Sequence, residues 1–194
     1  MIMHASKAYS SHMIPLLERE HMFSLDEKIV YPGHGVARIS KIVEKKLGDR
    51  VEKFFELKFI NKDMTVLVPV SNLTAAGIRK LCSRQNIDGI FALLAEPTRA
   101  HTDASLTNWN KRSKDYQRRL RSGDLGEIGV IYRNLHWIAT QKELSFGEKN
   151  LLNQTEFLLA EEISEVKSLA FDEAMQELRA SFSKKSMFGA AKAL

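Results

Sequence analysis

Cysteine is nearly absent from this 194-residue chain, which carries only Cys82. One thiol closes no internal disulfide and assembles no cysteine-based metal site, a usage that fits a reducing cytoplasm. Long apolar runs are lacking too. The longest, Ile90 to Ala95 (IFALLA), falls far short of the ~20 residues that a membrane span needs. Residues 1–21 hold no apolar segment of the secretory type and no hydrophobic period, so they read as a flexible extension or as residues ahead of a true start at Met22. Catalytic signatures are missing as well: there is no phosphate-binding glycine loop, no metal-spaced histidine cluster and no nucleophile elbow. The expectation is a protein that is not an enzyme and needs no cofactor or metal. His34, in a glycine-flanked turn, reads as a turn residue, and His136 as helix surface.

What is present is ordinary globular material, 44% hydrophobic and 27% charged, long enough for one large or two small domains. From Glu27 to Val70, β-branched and aromatic residues come in short runs broken by turn signals. KIVYP, GVARISKIV, VEKFFELKFI and MTVLVPV are the four expected strands, and they predict a small, twisted, antiparallel barrel-like sheet. RQNIDGIFALLAE then spaces Ile87, Ile90, Phe91, Leu93 and Leu94 as a helix does, and this helix is expected to close the first domain. Pro97 and the polar run to Ser105 break regular structure as a hinge would.

The remainder reads as helical. A basic helix from about Asn108 to Arg121 ends at Ser122-Gly123. Asp124 with Glu127, and Ser145 with Glu148, have the spacing of N-terminal caps for two further helices. A last amphipathic segment runs from Phe171 to Phe182. The fold class expected is α+β, a small N-terminal antiparallel β domain followed by an all-α C-terminal domain. The boundaries are a 1–21 extension, a 22–96 β domain, a 97–106 linker, a 107–183 helical domain and a 184–194 flexible tail.

The net charge of +5 is concentrated. Lys111, Arg112, Lys114, Arg118, Arg119 and Arg121 stand between Trp109 and Ser122 against the single acid Asp115, too few acids to explain the cations as intrahelical pairs. A charge run is often only a solvated face, and a tryptophan often only packs between helices. Trp109 beside these cations, with no apolar period to bury it, nevertheless suits nucleic acid: cations neutralise phosphates while an aromatic wedge reaches bases.

With those residues in view, the chain resembles the CarD/CdnL family of bacterial RNA-polymerase-binding transcription regulators over residues 22–170. The markers are KIVYPGHGVARI, MTVLVPV, TNWNKR, LRSGD and ELSFGEKNLL, in that order. The resemblance implies a Tudor-like N-terminal domain that docks on the polymerase β subunit. It further implies a helical domain at the upstream edge of the melted promoter, where a tryptophan wedges into the minor groove and stabilises the open complex. By that resemblance Trp109 is the wedge, and Lys111, Arg112 and Lys114 hold phosphates, with Arg133 and Lys149 as further candidates. The polymerase-facing positions are Lys45, Thr65 and Leu67. Two departures stand out: Leu67 falls where some members carry arginine, and Ile138, where some place a DNA-facing arginine, fits an apolar stripe instead. A monomer, partnered by polymerase and promoter DNA and not by membrane, is expected. The alternative is a nucleic-acid-binding protein that acts without polymerase.

Overall fold

The computed structural model describes residues 23–96 and 109–190, with side chains as far as residue 182. The expected 1–21 extension and 97–106 linker lie outside the described residues. Five antiparallel strands come first: β1 (Lys28–Tyr31), β2 (Gly35–Leu47), β3 (Arg50–Phe59), β4 (Thr65–Pro69) and β5 (Arg79–Lys80). Five helices follow: α1 (Arg84–Ala95), α2 (Trp109–Ser122), α3 (Leu125–Gln141), α4 (Phe146–Lys167) and α5 (Phe171–Ala190). The class is α+β, a β unit followed by a helical one.

The sheet order is β4-β3-β2-β1-β5, so β4 and the two-residue β5 are its edges. β5, too short to leave a periodic signal, is the strand beyond the four expected. Alternation puts Phe55, Leu57 and Phe59 of β3 on one face, and with Ile29, Ala37, Ile39, Val68 and Leu73 they form a buried core. β2 does not keep that alternation. A bulge between Ile39 and Lys41 opposes Ile39 to Leu57 but Lys41 to Glu56, which exchanges the faces for the rest of the strand. Ser40, the inserted residue, donates its hydroxyl to the Glu56 carbonyl at 3.1 Å and to its carboxylate at 2.8 Å.

α1 departs from expectation. Its period is as read, and Ser83 caps it with Asn86 in a reciprocal box. Its apolar face, however, packs Ile87, Ile90 and Leu94 among Tyr116, Leu120, Ile128, Ile131, Leu135 and Leu159 of the other helices. It does not close the sheet, whose core is filled from its own strands and loops. Gly129 of α3 sustains the close approach, since a Cβ there would lie 3.4 Å from both Ile90 and Leu93. The passage from one core to the other falls between Lys80 and Arg84, ahead of the 97–106 segment. α5 continues to Ala190, beyond Phe182, where the amphipathic spacing ends and where the expected tail begins shortly after. His136 is not plain surface: its ring stacks on Phe182 at 4.2 Å and meets Tyr132 edge-on at 4.6 Å, and burial lowers its pKa.

Three glutamates of α4 fix the two units against each other. Buried Glu161 accepts the Val36 N–H at 2.7 Å and the Asn61 side-chain amide at 3.1 Å. Its carboxylate fills the space beside Gly35, where a Cβ would fall 1.8 Å from Oε2. Glu162 receives both terminal nitrogens of Arg79 at 2.7 Å in a bidentate pair, and the Cys82 N–H at 2.9 Å. Glu165 pairs with Lys28. On the far side, Arg79 Nε donates to the Gly123 carbonyl at 2.8 Å, ahead of α3. The sheet is thus seated on the helical unit through charge-assisted contacts.

Candidate nucleic-acid interface

α2 sorts its residues by face. Arg112, Tyr116 and Leu120 recur at four-residue intervals and are buried, with Trp109 partly buried one turn ahead. Lys111, Lys114, Arg118 and Arg121 recur at intervals of three and four and are all exposed. The basic run is therefore one solvent-facing stripe of four cations opposite one packed stripe. Asp115 pairs with Arg118 at 2.6 Å and Arg119 at 2.7 Å, and these partners hold its carboxyl below the ordinary value. Arg119 also reaches Glu127 of α3 at 3.0 Å.

Arg112 leaves the expected phosphate-binding set. Its guanidinium is buried and forms an ion pair with Glu148, itself 1% exposed, near the start of α4. A cation committed to a buried carboxylate is not presented to a phosphate. Glu148 is also the N3 member of the Ser145 capping box and receives Lys142 at 3.2 Å. Burial opposes its charge, but the Ser145 backbone and hydroxyl donors together with Lys142 outweigh that and lower its pKa. One side chain thereby joins the cap of α4, the end of α3 and the first turn of α2.

Trp109 lies on this junction. Its indole packs against Gly147 and under the Arg112 guanidinium, 5.5 Å from the ring. The ring is partly buried, seated on these neighbours and packed against the helical core. Lys149, exposed, reaches Glu143 at 2.8 Å close by. Arg133 sits elsewhere, donating to the Leu93 carbonyl at 3.1 Å and approaching Glu96, so it closes the last turn of α1. Ile138 is buried, as its place in the apolar stripe implies. Trp109 and Lys149 thus lie near the facing N-termini of α2 and α4 and Lys111 and Lys114 on the exposed face of α2, while Arg112 and Arg133 are engaged with Glu148 and with the end of α1. Arg118 and Arg121, part of the basic run but not of the phosphate set that the resemblance implies, join Lys111 and Lys114 by a helical period visible in the sequence.

The sheet brings together the other group. Register pairs Lys45 with Glu52, Leu67 with Glu56 and Thr65 with Lys58, residues of β3 that alternate with the core set and share its outer face with Phe54. Lys45, Thr65 and Leu67 therefore share one exposed face, and the latter two lie on edge strand β4. Lys45 holds its ammonium 5.9 Å from the Phe54 ring on that face. Among the described residues no group of His, Cys, Asp or Glu is arranged to hold a metal, and no helix is long and apolar enough to cross a membrane.

Comparison with known proteins agrees with this division. The family model described as CarD-like/TRCF RID domain matches residues 23–82, and that described as CarD, C-terminal domain matches residues 89–179. A Bacillus subtilis (strain 168) protein named "Putative transcription factor YdeB" is 28% identical over 142 residues, covering 72% of this chain and 90% of that protein. With both domain models matched in order over most of its length, the chain belongs to the CarD family.

Proposed function

We propose that the chain is a transcription regulator that docks on the RNA polymerase β subunit through the outer face and edge of its sheet and holds promoter DNA with its helical unit. The observation that carries the DNA half is the exposed stripe Lys111, Lys114, Arg118 and Arg121 on the helix whose first residue is the partly buried Trp109. Such a stripe tracks phosphates without reading sequence, while an aromatic group at its end contacts the groove. The polymerase half is supported by the shared face of Lys45, Thr65 and Leu67 and by unpaired main chain on edge strand β4, which suits strand addition. Leu67 offers apolar contact in place of the charge that some relatives carry.

Docking on polymerase supplies a high local concentration, so modest intrinsic DNA affinity suffices. If the open promoter is bound more tightly than the closed one, the equilibrium moves toward opening by that differential affinity alone. The glutamate contacts of α4 with the sheet hold the two surfaces in one relative orientation, so docking by one aims the other. The test is co-precipitation with core polymerase, using the full chain and the 23–82 fragment, whose core is its own. Both should retain the β subunit. Failure of both, with tight promoter binding by the isolated chain, would instead establish a polymerase-independent DNA-binding protein.

A further inference from the structure

Phe146 is 81% exposed, the most exposed large apolar side chain among the described residues. Nothing in the fold requires a phenylalanine there. It occupies the first position of α4, where Ser145 and Glu148 already satisfy the cap and Leu144, two residues earlier, supplies the buried apolar anchor. A single exposed apolar residue is usually without consequence. This one directly precedes Gly147, the residue on which the Trp109 indole rests, and so adjoins the proposed DNA surface. Lys142 and Lys149, 57% and 52% exposed, lie four residues before it and three after, paired with Glu148 and Glu143.

We propose that Phe146 is a second aromatic contact to promoter DNA, the ring that enters against the bases, with the partly buried Trp109 as the platform behind it. This rests on the proposed function. The backbone carrying Phe146 is held by a capped helix tied through Glu148 to Arg112 and Lys142, so little is lost in ordering it. An apolar ring exposed among cations matches a polyanion whose bases offer stacking faces at a distorted or melted step. A protein partner would be expected to add an apolar rim, whereas the exposed neighbours are charged: Lys142, Lys149 and Glu143, the partner of Lys149 that a phosphate can replace.

The test uses the full chain carrying Phe146→p-benzoylphenylalanine, assembled with polymerase holoenzyme on promoter DNA and irradiated, with the same group at Lys149 as reference. A crosslink from position 146 to a DNA strand is expected. A DNA crosslink from 149 but not from 146 overturns the role of Phe146 alone, and DNA crosslinks from neither also overturn the placement of DNA on this face. Crosslinks from 146 only to polymerase polypeptides would mean that the ring has a protein partner. In parallel, Phe146→Ala should shorten open-complex half-life by about fivefold, on the order of one base–aromatic stack, at unchanged melting temperature and polymerase binding. If the wild-type chain lengthens the half-life and Phe146→Ala does so equally, the inference fails while the proposed function stands.

Discussion

Trp109 and Gly147 make a contact that only glycine permits, since a Cβ at 147 would stand 2.8 Å from Cζ2 and 3.2 Å from Cε2 of the indole. Wedge and core are therefore not exclusive roles for this ring. Trp109→Ala should lower folding stability by about 1–3 kcal/mol, less than a full core truncation, and shorten open-complex lifetime as well. Gly147→Ala separates the two effects. It should displace the ring at a cost of about 1 kcal/mol or less yet alter open-complex lifetime, as read by thermal melts beside transcription kinetics. A lifetime indifferent to both substitutions would remove Trp109 from the DNA surface.

The cations of α2 should divide by burial. Arg112→Ala removes the guanidinium partner of buried Glu148, which keeps Lys142 and the Ser145 donors, and should cost about 1.5–3 kcal/mol of stability in urea unfolding. Lys111→Ala and Lys114→Ala should leave stability within about 0.5 kcal/mol and each flatten the salt dependence of DNA binding by about one counterion. Equal stability effects at all three positions would contradict the assigned faces.

Gly35 tests the seating of the sheet on α4. At φ +108° with the Glu161 carboxylate in the place of its Cβ, Gly35→Ala faces both backbone strain and a steric conflict. A loss of about 2–4 kcal/mol is expected. Glu161 sits in this contact with its pKa raised by burial against the Val36 and Asn61 donors. An alanine variant as stable as the parent would mean that the two units need not be seated in this way.

Most of this architecture can be read along the sequence because its signals are local. The caps Ser145 and Asp124 fall where a serine or aspartate stands three residues ahead of a glutamate, and the stripes of α3 and α4 follow from periodicity. What escapes is long-range or parity-breaking. The apolar face of α1 has the same pattern whether it covers the sheet or joins the helices. The bulge at Ser40 leaves no mark in composition, yet it decides that Lys45 shares a face with Leu67. Arg112 looks like its basic neighbours until Glu148, 36 residues away, is brought against it. Phe146 is set apart by its exposure, which residue type does not encode.

Acid should weaken the packing of α5 on α4 through Glu156. Arg179 donates two hydrogen bonds at 2.8 Å and the Tyr132 hydroxyl one at 2.9 Å, and Arg179 is the main reason that the carboxyl titrates below its ordinary value. A depressed folded-state pKa gives stability that is present above the unfolded value and is lost as pH falls through the folded one. The melting-temperature gap between wild type and Arg179→Ala should therefore be widest above the ordinary carboxyl value and narrow as pH falls through the lowered folded-state one. A gap independent of pH would show that Arg179 acts by packing alone.

If one chain joins polymerase to promoter DNA and favours the open state, the half-life of competitor-challenged open complexes, measured with and without it, reads this most directly. The wild-type chain should lengthen that half-life. The Lys111→Ala, Lys114→Ala double variant should lose most of the gain while still co-precipitating polymerase. A half-life unchanged by a wild-type chain that demonstrably binds polymerase would contradict the account.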